Sequence, residues 1–451
     1  MATFHIWTLG CQMNQADSLK LAAGLEKMGY RPVDDDADAD LVVINTCSVR
    51  QHAEDRAYSR LGMLNKRRNE GQQVSIAVMG CMVGPKTDDL RKRFPYVDAW
   101  ARPQQFDPIL ELASDARDTS EGELGNLIPA DAIARGMART YAMPTGPTAY
   151  VPVIHGCDKF CTYCIVPLRR GREESRDVDD ILDEVRHLAR HGVREVTLLG
   201  QTVEAYGHDL PDLADGSRPD LATLFEGIDA IEGIARVRFL TSYPKDMTDR
   251  IVESVAYQPK VCDYFNIPVQ SGSDSMLERM KRGYTVAEFE ERVAKIRSLM
   301  PDAAIITDVI VGCPGETEAE FQATLDLLER IQFDTVHVAA YSPRPGTFAH
   351  RKMEDDVPME VKKARLQAVE AVHKASSERI NRAILGQTVE VLVEQIEDGR
   401  ASGRTRRGQI VHFAYGQPGA ARGDLVEVTV SQVTPWSAQG HLADELTLSV
   451  V

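Results

Sequence analysis

The sequence predicts an α/β fold in three parts: an amino-terminal parallel-sheet domain, an incomplete (β/α)6 barrel, and a small all-β barrel at the carboxyl end. Short apolar runs alternate with helical patterns near the start, strand–helix pairs then repeat, and strictly alternating strands follow. The boundaries that we expect are 2–118 for the first domain, 119–142 for a linker, 143–382 for the barrel and 383–451 for the last domain.

Composition bounds the class of protein. A chain of 451 residues is long enough for about two to four domains, and its 43% hydrophobic content supports ordinary cores. The formal net charge of -16 argues against nonspecific coating of nucleic acid, although it leaves room for a local basic face. No segment resembles a signal peptide, and apolar runs such as 303–312 are too short to span a bilayer. We therefore expect a cytoplasmic protein without a membrane partner.

The first domain alternates predicted strands at Phe4–Leu9, Asp40–Asn45 and Val74–Met79 with predicted helices at Asp17–Met28 and Val49–Arg68. Each predicted strand ends at a cysteine, in the order Cys11, Cys47 and Cys81. Because parallel strands end at one edge of their sheet, the thiols should converge. This pattern indicates a metal centre with an open ligand position. The alternative is that small, half-buried cysteines simply favour strand ends.

Residues 112–149 lose periodicity and are rich in Asp, Ala, Gly and Pro, which predicts a linker. One short helix is expected around Asp131–Ala138. The chain becomes regular again at Tyr150.

Residues 150–171, YVPVIHGCDKFCTYCIVPLRRG, place Cys157, Cys161 and Cys164 in a C-x3-C-x2-C pattern. Thiolates this close together favour soft iron or zinc. Structural zinc normally has four protein ligands, whereas an iron–sulfur cluster held by three cysteines keeps one iron open for another ligand. Buried structural cysteines, or a zinc site completed by His155 or a distant cysteine, are the alternatives. Eight cysteines in a reducing compartment favour metal over disulfides.

Six predicted strands, followed by helical patterns, make up an incomplete barrel. The loop that carries Cys157, Cys161 and Cys164, called the cysteine loop below, comes directly after the first strand. The strands are 150–154, 193–199, 237–241, 264–268, 305–311 and 335–341; the helices include 178–190, 246–255, 286–300, 319–330 and 358–385. Small or polar residues recur at the carboxyl ends of these strands, where such folds bind ligands. The candidate ligand-binding residues are Gly200, Gln201, Ser242, Gln270 and Arg344 after the strands and Asp308 within the fifth strand. Each alone is also an ordinary polar strand-end residue.

Beyond Gly386 the alternation predicts strands at 389–393, 410–415, 424–430 and 446–451, with a turn at 398–409 between the first two. Basic residues of this turn lie close in sequence to Phe413 and Tyr415, and cations beside aromatic rings suit RNA. The candidate RNA-binding residues are Arg400, Arg404, Arg406 and Arg407. A solubilising hairpin is the alternative, since the module as a whole is not basic.

The motifs LGCQMN, NTCSVR, NIPVQSGSD, VGCPGET and SPRPGT, in this order around the cysteine loop, resemble the radical S-adenosylmethionine (SAM) methylthiotransferase family over essentially the whole chain. The resemblance implies a methylthiotransferase amino-terminal domain, a radical SAM core and a TRAM domain that binds RNA. It also implies SAM and two 4Fe-4S clusters as cofactors. By position, Cys11, Cys47 and Cys81 would hold the auxiliary cluster, and the cysteine loop the SAM-cleaving one. Tyr163 would lie near the SAM adenine.

Within that family, TLGCQMNQADS and SGRTRRGQIVHF most resemble the members that act on N6-dimethylallyladenosine. The implied reaction is radical methylthiolation at C2 of that base, next to the anticodon of tRNA, with no catalytic side chain beyond the cluster ligands. The implied partners are the tRNA anticodon loop, a flavodoxin- or ferredoxin-type electron donor and a sulfur donor. Alternatives are sibling enzymes acting on threonylcarbamoyladenosine or a ribosomal-protein aspartate, a non-catalytic iron–sulfur electron carrier, and a zinc-stabilised RNA-binding protein.

Overall fold

The computed structural model describes residues 2–49, 51–118, 141–240, 242–414 and 421–443. The linker helix expected at 131–138 and the strand expected at 446–451 lie outside these ranges. No helix in the described part of the chain is both long and apolar enough to cross a membrane.

The amino-terminal domain is a parallel sheet in the order β2-β1-β3-β4-β5, flanked by helices. Its strands are β1 (Thr3–Thr8), β2 (Arg31–Pro32), β3 (Leu41–Thr46), β4 (Ser75–Gly80) and β5 (Ala99–Ala101); its helices are α1 (Gln12–Lys27), α2 (Gln51–Asn69), α3 (Asp88–Arg93) and α4 (Asp107–Asp118). The central strand β3 is buried along its whole length, as expected when helices cover both faces. The three predicted strands and two predicted helices are confirmed, whereas the short edge strands β2 and β5 were not predicted.

The second domain is an open barrel in which β6-β9-β10 and β11-β12-β13 form two parallel sheets, joined by a bridge between Val237 and Val261. The strands are β6 (Thr148–Pro152), β9 (Glu195–Leu199), β10 (Arg236–Leu240), β11 (Tyr264–Asn266), β12 (Ala304–Val311) and β13 (Thr335–Ala340), with a small antiparallel pair β7 (Ile154–His155) and β8 (Glu174–Ser175). One hydrophobic core runs between the strands and the surrounding helices. The predicted incomplete barrel is confirmed.

Most helices of this domain begin at a residue whose side chain caps them. Thr285 caps the helix Val286–Leu299 and Thr317 caps the helix Glu318–Ile331, each with a glutamate three residues later that completes a capping box. The helices are α5 (Val166–Arg170), α6 (Val178–Arg190), α7 (Leu221–Asp229), α8 (Asp249–Tyr257), α9 (Asp274–Arg279), α10 (Val286–Leu299), α11 (Glu318–Ile331), α12 (Phe348–Lys352) and α13 (Met359–Ala383).

The carboxyl-terminal domain is a closed β-barrel in the strand order β14-β15-β16-β18-β17. Its strands are β14 (Thr388–Glu397), β15 (Arg400–Arg404), β16 (Ile410–Ala414), β17 (Leu425–Val433) and β18 (Ala438–Leu442). The all-β barrel is therefore confirmed, but the turn predicted over 398–409 is wrong in its first half. A tight turn at Asp398 and Gly399, both with positive φ, leads directly into β15.

The two outer domains dock on the central barrel. Met13 and Ala16 of α1 pack against Tyr150 in the middle of β6 and against Leu199 and Leu240 at the ends of β9 and β10. This contact places the amino end of α1, and therefore Cys11, above the carboxyl-end face of the barrel.

The β-barrel is attached through β10. Arg238 donates hydrogen bonds of 2.7 Å from Nη1 to the Arg406 carbonyl and from Nη2 to the Thr405 carbonyl. Its Nε pairs with Glu195 of β9 at 2.9 Å. The turn of the β-barrel thus reaches the buried face of the central sheet.

Candidate metal centres

The first cysteine triplet lies at one edge of the amino-terminal sheet. Cys47 and Cys81 directly follow β3 and β4, and Cys11 lies three residues after the end of the neighbouring strand β1. The Cys81 thiol lies close enough to Cys11 and Cys47 for their charges to act on its pKa. The three thiols therefore converge, as the strand-end pattern predicts.

Gly10 and Asn14 fix the backbone around this triplet. Gly10 has a φ of 119°, and a Cβ there would lie 2.8 Å from Cβ of Cys47. The buried Asn14 donates from Nδ2 to the carbonyls of Leu9 at 2.7 Å and Thr46 at 2.8 Å. Since these carbonyls lie just before the Cys11 and Cys47 turns, one amide fixes both cysteine turns.

The second triplet lies in the loop between β7 and β8, which pair and thereby clamp the two ends of the loop. Gly156, with a φ of 71°, packs so closely on the Arg172 carbonyl that only glycine fits. The amide of Cys157 donates to the Gly171 carbonyl at 3.2 Å, and that of Cys164 to the Cys161 carbonyl at 3.0 Å. The loop is therefore compact around its three thiols.

The far wall of this loop is the segment after α9. Thr162 donates to the carbonyls of Met280 and Arg279 at 3.1 and 3.0 Å. Arg282, only 6% exposed, donates from Nη1 to Sγ of Cys161 at 3.2 Å. Tyr163 packs beside Met276 and Cys313 in a small apolar cluster. A buried cation therefore faces a thiol of this triplet directly.

Arg170 connects the two triplets. It ends α5, six positions after Cys164, and its Nη2 donates to Oδ1 of Asn14 at 2.7 Å and to Asp17 at 3.2 Å. Its charge acts on the pKa of Cys81. The cysteine loop of the barrel is thereby tied to the cysteine turns of the amino-terminal domain.

The donor chemistry of both triplets fits an iron–sulfur cluster. None of the eight cysteines, all within the described ranges, forms a disulfide. Burial raises the pKa of Cys81 and of Cys157 to about 11, and that of Cys164 to about 12. Thiols this hard to ionise need a metal to become thiolates, since binding displaces the proton. Each site offers three thiols, which leaves one iron of a cubic cluster open.

The candidate ligand residues of the barrel lie on the expected rim, in different environments. The Gln270 amide donates to the Asp308 carbonyl at 2.8 Å, and Gly200 packs tightly on Ile154 beside the cysteine loop. Gln270 has a φ of 71° and a buried Oε1 that finds no partner among the described residues. A strained polar residue aimed into a site suits ligand binding.

The other rim residues are less uniform. Gln201 also has a buried Oε1 without a partner in the described ranges, and Ser242 is buried beside Glu204. Arg344 instead points to the amino-terminal domain, where it donates to Oε1 of Gln51 at 3.1 Å. Arg344 thus closes the interface between domains.

The predicted basic turn of the β-barrel has a second use that the sequence analysis did not anticipate. Arg406 donates to the carbonyls of Pro259 and Val261 at 2.9 and 2.6 Å, and Arg407 pairs with Asp334 at 2.7 Å. Both guanidinium groups therefore anchor the β-barrel on the central domain.

The other two candidate RNA-binding arginines have different surroundings. Arg404 pairs with Glu394 and stays half exposed, and Arg400 is exposed at the start of β15. Phe413 is buried in the β-barrel core, so it is not a free stacking ring. Tyr415 lies outside the described residues.

Sequence reasoning missed Asn14, Arg170 and Arg282. The double arginine in PLRRG directly after the cysteine loop was a usable signal for Arg170, and the asparagine of LGCQMN for Asn14. Arg282 gives no local signal, because it is 121 positions from the cysteine that it contacts.

Comparisons with known proteins agree with this architecture. Residues 3–102 match the model described as uncharacterized protein family UPF0004, residues 151–328 match the radical SAM superfamily, and residues 382–443 match the TRAM domain. The solved structure of the radical SAM methyltransferase TsrM from Kitasatospora setae, with cobalamin and a [4Fe-4S] cluster bound, covers 89% of this chain and 81% of its own at a TM-score of 0.55 and 13% identity. That likeness shows the fold.

Curated relatives match over the full length. A tRNA-2-methylthio-N(6)-dimethylallyladenosine synthase from Dehalococcoides mccartyi (strain CBDB1) is 41% identical over 99% of this chain and 100% of its own. One from Chloroflexus aurantiacus is 42% identical over 97% of this chain and 91% of its own. With SAM and 4Fe-4S clusters as its cofactors, the chain belongs to the radical SAM family of tRNA-2-methylthio-N(6)-dimethylallyladenosine synthases.

Proposed function

We propose that this enzyme replaces the C2 hydrogen of N6-dimethylallyladenosine, next to the anticodon of tRNA, with a methylthio group. The observation that carries this is the pairing of two cysteine triplets, one on each of two domains, which Arg170 links. An aromatic C–H has no useful acidity, so acid–base side chains cannot open it. A site with two adjacent clusters suits the radical alternative.

Cys11, Cys47 and Cys81 would hold the auxiliary cluster, and Cys157, Cys161 and Cys164 the cluster that binds SAM. When bound, these groups supply the electron that cleaves SAM, the radical that removes the C2 hydrogen, and the sulfur and methyl group that replace it. The protein positions them. Tyr163 would lie beside the adenine of SAM, and Gly200, Gln201, Ser242, Gln270 and Asp308 would line its pocket. Arg344 would hold the amino-terminal domain over that pocket.

The substrate base has to leave its loop to reach the site between the domains. Extrusion is cheaper from a single-stranded anticodon loop than from a duplex. Arg400 and Arg404 of the β-barrel would contact the RNA backbone, while Arg406 and Arg407 would act by holding the β-barrel in place.

The reaction also needs electrons and sulfur from outside the chain. We propose a flavodoxin- or ferredoxin-type reductant, a separate sulfur donor and a cytoplasmic site of action, where tRNA and these carriers occur together. We also propose that the domains span 2–118, 143–382 and 383–451, with 119–142 as the linker.

The test is mass analysis of tRNA nucleosides from a strain lacking this gene, compared with its parent. The methylthio-dimethylallyladenosine signal should vanish and its unthiolated precursor accumulate. Unchanged tRNA would contradict the proposal and direct attention to the siblings that act on threonylcarbamoyladenosine or a ribosomal-protein aspartate.

Cysteine variants test the two sites separately. Cys157→Ala should abolish formation of deoxyadenosine from SAM. Cys11→Ala should preserve that cleavage but stop methylthiolation, and Cys262→Ala, a buried cysteine outside both triplets, serves as the matched control. Deoxyadenosine formed by Cys157→Ala, or methylthiolation by Cys11→Ala, would refute the corresponding assignment.

A further inference from the structure

Each cysteine triplet has its own buried arginine. Arg282 faces Cys161 with an Nη1–Sγ distance of 3.2 Å. Arg170 donates from Nη2 to Oδ1 of Asn14 at 2.7 Å, and the Cys11 thiol contacts the same oxygen at 3.8 Å. The charge of Arg170 also acts on Cys81. The side chain of Arg170 is 3% exposed and Arg282 is 6% exposed. A guanidinium buried to this degree needs partners, because burying an unpaired charge is costly.

The partners of Arg282 hold it rigidly. Its Nε donates to the Tyr284 hydroxyl at 3.0 Å and its Nη2 to the Pro268 carbonyl at 3.2 Å. The Tyr243 ring lies 4.7 Å from its guanidinium carbon. One N–H is thus aimed at Cys161 by groups that are not themselves cluster ligands.

Arg170 is held in the same manner. Asn14 and Asp17 both accept from its Nη2, and Asp17 is itself 3% exposed. Its Nη1 is buried and makes no hydrogen bond of ordinary length to the other described residues, while the guanidinium lies within reach of the Cys81 thiol. A rigid cationic donor therefore lies beside the thiols of the first triplet.

We propose that Arg170 and Arg282 are positioning residues that set the reduction potentials of the two clusters independently, Arg170 for the auxiliary cluster and Arg282 for the SAM-binding cluster. Hydrogen bonds to cluster sulfurs and nearby charge are main determinants of such potentials. A fixed cation stabilises the more negative, reduced state and raises the potential. This inference rests on the proposed function only in assuming that both triplets hold clusters.

The test is a redox titration followed by electron paramagnetic resonance, on full-length protein with one cluster at a time. Changing Cys157, Cys161 and Cys164 to Ala leaves the auxiliary triplet, and changing Cys11, Cys47 and Cys81 to Ala leaves the other. Arg170→Met should lower the auxiliary potential enough to change the reduced-to-oxidised ratio at fixed potential at least tenfold, which for one electron is about 59 mV. It should leave the other cluster unchanged. Arg282→Met should lower the potential of the SAM-binding cluster in the same way and leave the auxiliary cluster unchanged.

Iron content separates the possible failures. No iron in the parent triplets would refute the proposed function, whereas iron with unshifted potentials in both Met variants would overturn this inference alone. Equal shifts of both clusters by one variant would also overturn it. If a Met variant loses iron, Arg170→Lys or Arg282→Lys, which keep the charge but not the fork geometry, should give a smaller shift of the same sign, and no shift would overturn the proposal.

Discussion

Gly10 shows how little space surrounds the first triplet. Its φ of 119° disfavours any side chain, and an added Cβ would meet both Cys47 Cβ and Asn14 Nδ2 at 2.8 Å. Gly10→Ala should therefore displace the Cys11 turn and lower auxiliary iron by more than half, while SAM cleavage at the other triplet continues. Iron analysis and deoxyadenosine formation measure the two effects.

The matched control is Gly62→Ala, because Gly62 lies in α2 and an added Cβ would have open space. Alanine at an exposed helix position should be neutral or slightly stabilising. Loss of iron in both variants would show that Gly10 has no special part in the triplet.

Glu204 gives the chain a predictable pH dependence. Burial raises its pKa to about 8 from 4.5, against the opposing effects of the hydrogen bond from the Tyr243 amide and of the nearby Ser242 hydroxyl. Between these two pH values Glu204 keeps a proton in the folded chain that it has lost in the unfolded chain. The contribution of Glu204 to the free energy of unfolding is therefore fully present below pH 4.5 and is lost as the pH rises from 4.5 through about 8. Glu204→Gln should flatten the decline by up to about 1.4 kcal/mol per pH unit.

Thermal unfolding across this pH range measures the difference, with Glu226→Gln, a half-exposed glutamate of α7, as control. A slope for Glu204→Gln equal to that of the parent would contradict the raised pKa.

The six triplet cysteines could be found from spacing because each lies at a strand end or in one short loop. The residues that surround them could not. Arg170 meets Asn14 across 156 positions, and only the docking of α1 on β6 brings the two together. Long-range contacts of this kind are set by packing between domains, which no local pattern encodes.

At the scale of elements, the parallel domains were predictable and the β-barrel less so. Buried parallel strands read as continuous apolar runs, whereas β15 has the sequence RASGR and looks like a turn. Ala401 and Gly403 face the core there, and Gly403 packs so closely on the Leu392 carbonyl that no Cβ fits. Because β14 and β15 approach each other closely, β15 has small residues where a strand usually has bulky apolar ones. The sequence therefore did not show β15 as a strand.

Strand β10 carries the attachment of the β-barrel, and its Arg238 is buried against Glu195. Arg238→Met removes both carbonyl contacts to the β-barrel turn and, among the described residues, leaves Glu195 with only Arg236, at 3.9 Å. Breaking a buried pair in this way costs about 3–5 kcal/mol. We expect a lower midpoint of denaturant unfolding and faster proteolysis between α13 and β14.

The double variant Glu195→Gln with Arg238→Met should recover part of this loss, because no unpaired charge stays buried. A double variant less stable than Arg238→Met would show that the pair is not the cause.

At the scale of the molecule, the β-barrel has to do two things with one basic segment: stay docked and bind RNA. Arg406 and Arg407 contact the central domain, whereas Arg400 is exposed to solvent. Since each phosphate contact releases counterions, Arg400→Ala should weaken tRNA binding several-fold and reduce the slope of log affinity against log salt by about 1. Binding titrations at several salt concentrations measure both quantities.

Arg407→Ala should act differently, because it breaks the contact with Asp334. It should loosen the β-barrel and lower methylthiolation while changing the salt slope little, since no phosphate contact is lost. Arg186→Ala, a half-exposed arginine of α6 with a local partner, is the control and should change neither. If Arg407→Ala altered the salt slope and Arg400→Ala did not, Arg407 rather than Arg400 would contact the RNA phosphates. The docked face of the β-barrel would then have to open for tRNA to bind.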